Sequence, residues 1–422
     1  MFSWYLLLDV AIEAKILPFV SHDNRFLALS RTPLLVVVSA AFLVLRSFAQ
    51  APTNRPPALL ESIPDMLQND DWRTQIKAGN INRFAWDVRM RAERGEGLFQ
   101  YYLARMSYSG FGVAHNMHEF VKWCQKAANN GIPDAQHDLA VAFAYGTGVT
   151  QDMKQAIYWY QIAANHDFGP AMHNLARAYG TGRGVPYDLD QSINWFRRAA
   201  QKDVPLSQCA LGFIESDPSL GRVNYSEAVM WLRKAADKKA AAAEWLLARC
   251  YLSGNGVEKS EKQAIKLLEK AASGGIREAE GELGRVYLRS TQIKHDPKQG
   301  LKWLRRGADH GDAVSQGLLG SCYLRGEGVP QDKAEGLKWI RRAAMQGFPP
   351  AQSALGFACQ TGEGVPLDLV ESYKWFFVAQ RGGDPAAFPN LMKLAANLTP
   401  EQKSEALARA QAFVPQRERR PK

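Results

Sequence analysis

The sequence predicts an all-α protein, an α/α superhelical solenoid of about eight 36-residue helical hairpins with a helical cap at each end. Three observations carry this prediction. Seven tryptophans (Trp123, Trp159, Trp195, Trp231, Trp303, Trp339, Trp375) stand 36 residues apart, with one gap of twice that length in which Leu267 takes the missing rung. Twenty residues before every rung stands a leucine, from Leu103 and Leu139 to Leu319 and Leu355, each followed by Ala or Gly. Four residues after every rung stands Ala or Gly again.

These are helical-face spacings on two separate stretches, so each repeat holds two helices whose small residues let the backbones approach. The turn between them is the motif Gly-x-Gly-Val, beginning at Gly110, Gly146, Gly182, Gly254, Gly326 and Gly362. Glycine there accepts the left-handed conformation that closes a helix. The second helix opens on Asn116, Asp152, Asp188, Asn224, Ser260, Asp296, Asp332 or Asp368, with Glu or Gln three residues later. That pattern predicts a reciprocal capping box in all eight repeats. Residues 218–221 and 290–293 lack the paired glycines, so altered turns are expected there.

The ends read as caps. Residues 58–97 contain Trp72 and Trp86, the latter 37 residues before the first rung, and resemble a decayed hairpin shielding the first face of the array. Thr399, Pro400 and Gln402 carry a helix-start signature, opening a last helix that runs to about residue 413.

Over 422 residues, 46% hydrophobic and 22% charged, the net charge is +10, spread along the chain apart from a basic tail with Arg417, Arg419, Arg420 and Lys422. A spread excess favours acidic protein partners, and no nucleic-acid partner is expected. The five cysteines are odd in number and form no Cys-x-x-Cys pair, which argues against a disulfide framework or zinc site and for small buried thiols. His115 and His118 have no third ligand nearby, and Gly180-Thr-Gly-Arg-Gly184 lacks the Lys-Ser/Thr of a phosphate loop. No cofactor, metal or catalytic residue is expected.

Residues 32–45 form an uncharged apolar run between Arg31 and Arg46, followed by Ala49, Ala51 and a Pro-rich stretch. Residues 1–51 therefore read as a secretory signal cleaved after Ala49 or Ala51. If both arginines snorkel, Phe26 to Ala49 reads instead as a single membrane anchor. Lys15, Arg25 and Arg31 precede the run, which places the N-terminus inside and the repeats outside. The expected organisation is this leader, a linker and N-terminal cap over 52–97, repeats over 98–383, C-terminal capping helices over 384–413, and a basic tail over 414–422. The expected location is periplasmic or secreted, with membrane attachment in the anchor case.

The run from Cys322-Tyr-Leu-Arg-Gly-Glu-Gly-Val-Pro-Gln to Asp332, with Trp339-Ile-Arg-Arg-Ala-Ala344, resembles the SEL-one-like repeat (SLR) family, a relative of the tetratricopeptide repeat. The resemblance covers about residues 98–383. It implies an α/α superhelix that usually serves as an adaptor in protein complexes, with many secreted or envelope members in bacteria and no shared catalytic residues. The alternative is an envelope hydrolase or β-lactam-binding protein, as in a cysteine-rich branch of the family. That branch pairs two cysteines within each repeat. Here no repeat holds such a pair, and the chain has no Ser-x-x-Lys.

In the related tetratricopeptide fold, ligands lie along the first helices on the concave side. Carried over, that geometry predicts a peptide groove of Arg105, Arg177, Arg249, Arg285, Arg289 and Arg325 with Tyr101, His137, His173 and Trp245. Arginines interleaved with aromatic residues suit an acidic, carboxylate-bearing segment, with Trp245 as its aromatic anchor. The competing reading is that these arginines are solvated or pair with neighbouring acids. Arg197-Arg198, Arg233-Lys234, Arg305-Arg306 and Arg341-Arg342 follow the rungs and read as a solvated stripe on the convex face, or as contacts to an anionic surface. The expected function is a non-enzymatic protein–protein interaction scaffold of the bacterial envelope.

Overall fold

The computed structural model describes residues 81–290, 296–416 and Glu418. The expected leader and linker, Trp72, most of the second altered turn and the last four residues lie outside the described residues. What is described is helical throughout and falls into two compact units divided between Lys238 and Lys239.

The first unit begins with α1 (Ile81–Glu93) and continues as four hairpins: α2 (Gly97–Ser109) with α3 (Met117–Asn129), α4 (Pro133–Tyr145) with α5 (Met153–Asn165), α6 (Gly169–Thr181) with α7 (Leu189–Gln201), and α8 (Pro205–Ser216) with α9 (Tyr225–Asp237). The second unit holds α10 (Ala241–Ser253) with α11 (Glu261–Ser273), α12 (Arg277–Arg289) with α13 (Pro297–Asp309), α14 (Ala313–Arg325) with α15 (Lys333–Met345), and α16 (Pro349–Thr361) with α17 (Leu369–Arg381). It ends in α18 (Ala387–Ala395) and α19 (Pro400–Gln411), both packed on α17. Within each unit the two helices of a hairpin pack together, and each later first helix packs on the preceding second helix. This is the expected α/α solenoid.

The rung explains the stacking. Trp123, Trp159, Trp195, Trp231, Trp339 and Trp375 are buried, whereas Trp303 is half-buried. The leucines twenty residues upstream are buried without exception. A fully buried indole truncated to Ala costs about 3–5 kcal/mol. The turn glycines adopt the left-handed conformation in every Gly-x-Gly-Val motif. The second glycine of the pair is also needed for space: at Gly148, with φ +70°, a Cβ would sit 2.3 Å from the Met117 carbonyl oxygen.

The capping expectation holds by half. All eight cap side chains accept from the backbone N–H three residues on. Among the described residues the reciprocal half forms only at Thr399 and Gln402, which open α19. In the repeats the cap residue's own N–H is already taken by a first-helix carbonyl nine residues earlier, as in Asn116 to Ser107 (2.9 Å) and Asp332 to Tyr323 (2.9 Å). The freed glutamates turn elsewhere: Glu119, Glu227 and Glu335 accept from the rung indoles Trp123, Trp231 and Trp339.

Two further differences concern the ends and turns. Trp86 is not a rung but 63% exposed, and α1 buries Phe84, Ala85, Val88 and Ala92 instead. Pro218–Leu220 forms a 3-10 turn capped by Asp217 and closed by Gly221, a distinct solution where the glycine pair is missing.

A buried amide fastens successive hairpins. Gln100, Gln136, Gln208, Gln316 and Gln352 each donate to a carbonyl eight residues earlier, at Ala92, Ala128, Ala200, Ala308 and Ala344, where the preceding second helix ends. In α12 the same position is Glu280, fully buried, and its carboxylate meets Arg306 Nε (2.7 Å) and His310 Nδ1 (2.7 Å).

Candidate functional site

The first helices line up through polar contacts that run from one hairpin to the next. In the first unit Tyr101 Oη donates to Asp138 Oδ2 (3.0 Å), and Arg105 Nη1 reaches the same oxygen at 3.2 Å. Burial works to raise the Asp138 carboxyl, but His137, Arg105 and Tyr101 outweigh it and hold the group below its ordinary range. His137 also faces Asn174 across 3.0 Å, and His173 faces Ser207 Oγ across 2.9 Å. His173 is buried against Phe196, and that burial pushes its pKa down to about 3, so the ring is neutral. Arg177 is half-buried and makes no ion pair among the described residues.

The second unit repeats the arrangement with different residues. Trp245 is 9% exposed, Arg249 lies 5.2 Å over its ring, and Arg249 Nε is 3.7 Å from Glu282 Oε1. Aromatic residue, arginine four positions on, and an acid in the next first helix thus recur as Tyr101–Arg105–Asp138 and Trp245–Arg249–Glu282. Burial pushes the Glu282 carboxyl up, against the pull of Arg249 and Arg285. Arg285 and Arg289 are exposed one helical turn apart on α12 and make no ion pair or side-chain hydrogen bond among the described residues. Arg325 is exposed and pairs with Glu327 (2.9 Å).

The ten expected groove residues therefore divide. His173 and Trp245 are packed inside the stack, so Trp245 is a cation-covered core ring and not an open anchor. Tyr101, His137, Arg105 and Arg249 join neighbouring helices. Arg177, Arg285, Arg289 and Arg325 keep guanidinium surface available. Asp138 and Glu282 were missed from sequence; the signal available was an acid 37 residues after each aromatic and 33 after each arginine.

The basic pairs that follow the rungs are not simply solvated. Arg198, Lys234, Arg306 and Arg342 lie over the rung rings at 4.3, 4.7, 5.3 and 4.4 Å. Arg197 bridges Glu215 and Glu227 at 3.4 and 3.1 Å. The five cysteines are all buried thiols, with Cys209 pushed up to about 12 and Cys322 to about 11 by burial, which leaves them protonated and unreactive.

Stacked hairpins, indole rungs and capped second helices define a helical-repeat protein of the α/α solenoid class. More particularly, the chain belongs to the Sel1 repeat family, whose model matches residues 98–132, 133–168, 169–204, 205–239, 241–276, 277–312, 313–348 and 349–381. It is similar in structure to a protective antigen present in uropathogenic Escherichia coli strains and displaying an SLR fold, with a TM-score of 0.74 and 27% identity over 89% of this chain and 84% of that one. It is also similar to a Sel1 repeat protein from Oxalobacter formigenes, with a TM-score of 0.57 and 28% identity over 92% of this chain and 99% of the other. No curated protein matches the chain.

Proposed function

We propose that the chain is a non-enzymatic scaffold of the bacterial envelope that binds acidic protein segments along its first helices. Sel1 repeat proteins in general serve protein–protein interaction. The observation that carries the acidic preference is the arginine strip of the second unit. Arg249, Arg285, Arg289 and Arg325 reach solvent from α10, α12 and α14, and among the described residues only Glu282 and Glu327 are paired with them. Exposed guanidinium groups with no internal partner keep their fork free for a carboxylate. The test is affinity capture with the full chain and with the Arg285→Ala/Arg289→Ala variant. Loss of an acidic partner in the variant supports the reading, and an unchanged set of captured proteins sinks it.

The envelope location rests on the apolar run at residues 32–45 and its arginine flanks. N-terminal sequencing of the mature protein checks it: a start at Gln50 or Pro52 indicates cleavage, an intact apolar run in the membrane fraction indicates an anchor, and an uncleaved chain in the cytoplasmic fraction overturns the location.

A further inference from the structure

The C-terminal segment turns back along the edge where the second helices of the second unit end. Phe413 packs edge-on against the Trp375 rung, ring centroids 5.3 Å apart. Pro415 passes over Gly347, where a Cβ would lie 3.1 Å from the proline ring. The Gln416 N–H donates to the Met345 carbonyl (3.0 Å), and the Glu418 N–H donates to Gln346 Oε1 (3.1 Å). Glu418 then enters a built cradle. Arg342 forks onto both carboxylate oxygens at 2.9 and 2.6 Å, and Gln316 Nε2 donates to one of them at 2.9 Å. Gln346 and the Ala308 carbonyl hold Gln316 in place at 2.8 and 3.1 Å. These partners, Arg342 foremost, with the nearby Arg277 adding its charge, hold the Glu418 carboxyl below its usual range.

Ring, alternate backbone N–H groups and a forked carboxylate are the elements by which an extended peptide is read. The occupant fits them imperfectly. Glu418 is the single acid among Arg417, Arg419, Arg420 and Lys422, while the charges that hold it, Arg342 and Arg277, are also positive. By sequence the tail is net positive, like the cradle, and a segment with the same aromatic-to-glutamate spacing but without neighbouring bases binds it better.

We propose that this edge is a second peptide site, held in cis by the chain's own tail and opened by an acidic segment carrying an aromatic residue five positions before a glutamate. It lies on the helix-end edge and is independent of the first-helix arginines. The test uses the full chain and a labelled peptide spanning residues 411–420 with Arg417→Ser, Arg419→Ser and Arg420→Ser. The Glu418→Ala chain, with its own plug weakened, should bind this probe about tenfold more tightly than the unaltered chain. Adding Arg342→Lys, which keeps a cation over Trp339 but loses the fork, should weaken it about tenfold again. A probe that also carries Glu418→Gln should bind about tenfold more weakly, and the Arg285→Ala/Arg289→Ala chain should bind as the unaltered chain does. Equal binding by the unaltered, Glu418→Ala and Glu418→Ala/Arg342→Lys chains overturns the proposal, as does no binding to any folded chain or an undiminished affinity of the Gln probe.

Discussion

Residues 81–238 and residues 239–418 repeat one hairpin and finish it differently. In the first, buried side chains from Phe84 to Trp231 make one continuous cluster. Three of its second helices, α3, α5 and α7, close on Gly131, Asp167 and Asp203, and the two aspartates, left-handed at φ 62° and 66°, are held by Lys202 (2.9 Å) and Lys238 (2.6 Å) from the following hairpin. In the second unit Leu267 and a half-buried Trp303 weaken two rungs, and the buried side chains from Leu288 to Leu398 fall into separate clusters. Its second helices close on Gly275, Gly311, Gly347 and Gly383, and the chain's own tail lies across two of these. The difference teaches what an edge needs before a peptide can lie on it. A left-handed closing residue can be Asp if a lysine holds it, but only glycine leaves room for another backbone.

The largest expected effect contrasts the cores. Trp195→Ala should cost about 3–5 kcal/mol, and Trp303→Ala, at a half-buried rung, about half as much. Urea unfolding followed by circular dichroism measures both, and equal losses would break the comparison. Next comes acid. The His173 pKa is lowered to about 3 in the fold against 6.5 in the open chain, so below pH 6.5 the unfolded chain takes up a proton that the native state refuses. Its contribution is complete above pH 6.5 and falls by about 1.4 kcal/mol per pH unit below it, or about 2 kcal/mol at pH 5. His173→Gln should flatten that slope in the first unit, and an unchanged slope would contradict it.

A smaller effect tests the edges directly. Gly347→Asp copies the first unit's residue into the second, places a Cβ against Pro415, and should cost about 1 kcal/mol in the left-handed region. Amide exchange at Gln416 should speed up in this variant, while Asp203→Gly, at a solvent-exposed pair with Lys238, should leave the urea midpoint nearly unchanged. The smallest is the tail's own carboxylate. Because the Glu418 pKa is lowered, its docking is complete above the ordinary glutamate range and is lost as pH falls through the depressed value. Glu418→Gln should therefore cost about 0.5–1 kcal/mol near neutral pH, a value kept small by the pair's partial exposure, and should erase the acid release of the tail seen by exchange at Gln416.

Much of this was legible beforehand because it is local. A cap side chain, a left-handed glycine and an indole every 36 residues act within one hairpin or between immediate neighbours, so the periodicity exposes them. The capping box was half wrong because the cap N–H had a competitor nine residues upstream, which only the closed turn brings near. Trp86 matched the rung spacing to within one residue, yet packing set the register of α1 on Phe84 and Val88 and left the indole outside. The groove arginines were found as a column, but which of them stay open depended on Asp138 and Glu282, a repeat further along.

The order of helices, their caps and their stacking were thus determined by sequence alone, since each depends on contacts that recur with every repeat and are reinforced by it. Tertiary structure alone decided which charges are spent internally and where the tail lies. Glu418 and Gln316 are 102 residues apart, and no period relates a contact that occurs only once. It exists because two glycines, an arginine fork and a returning chain end meet in space.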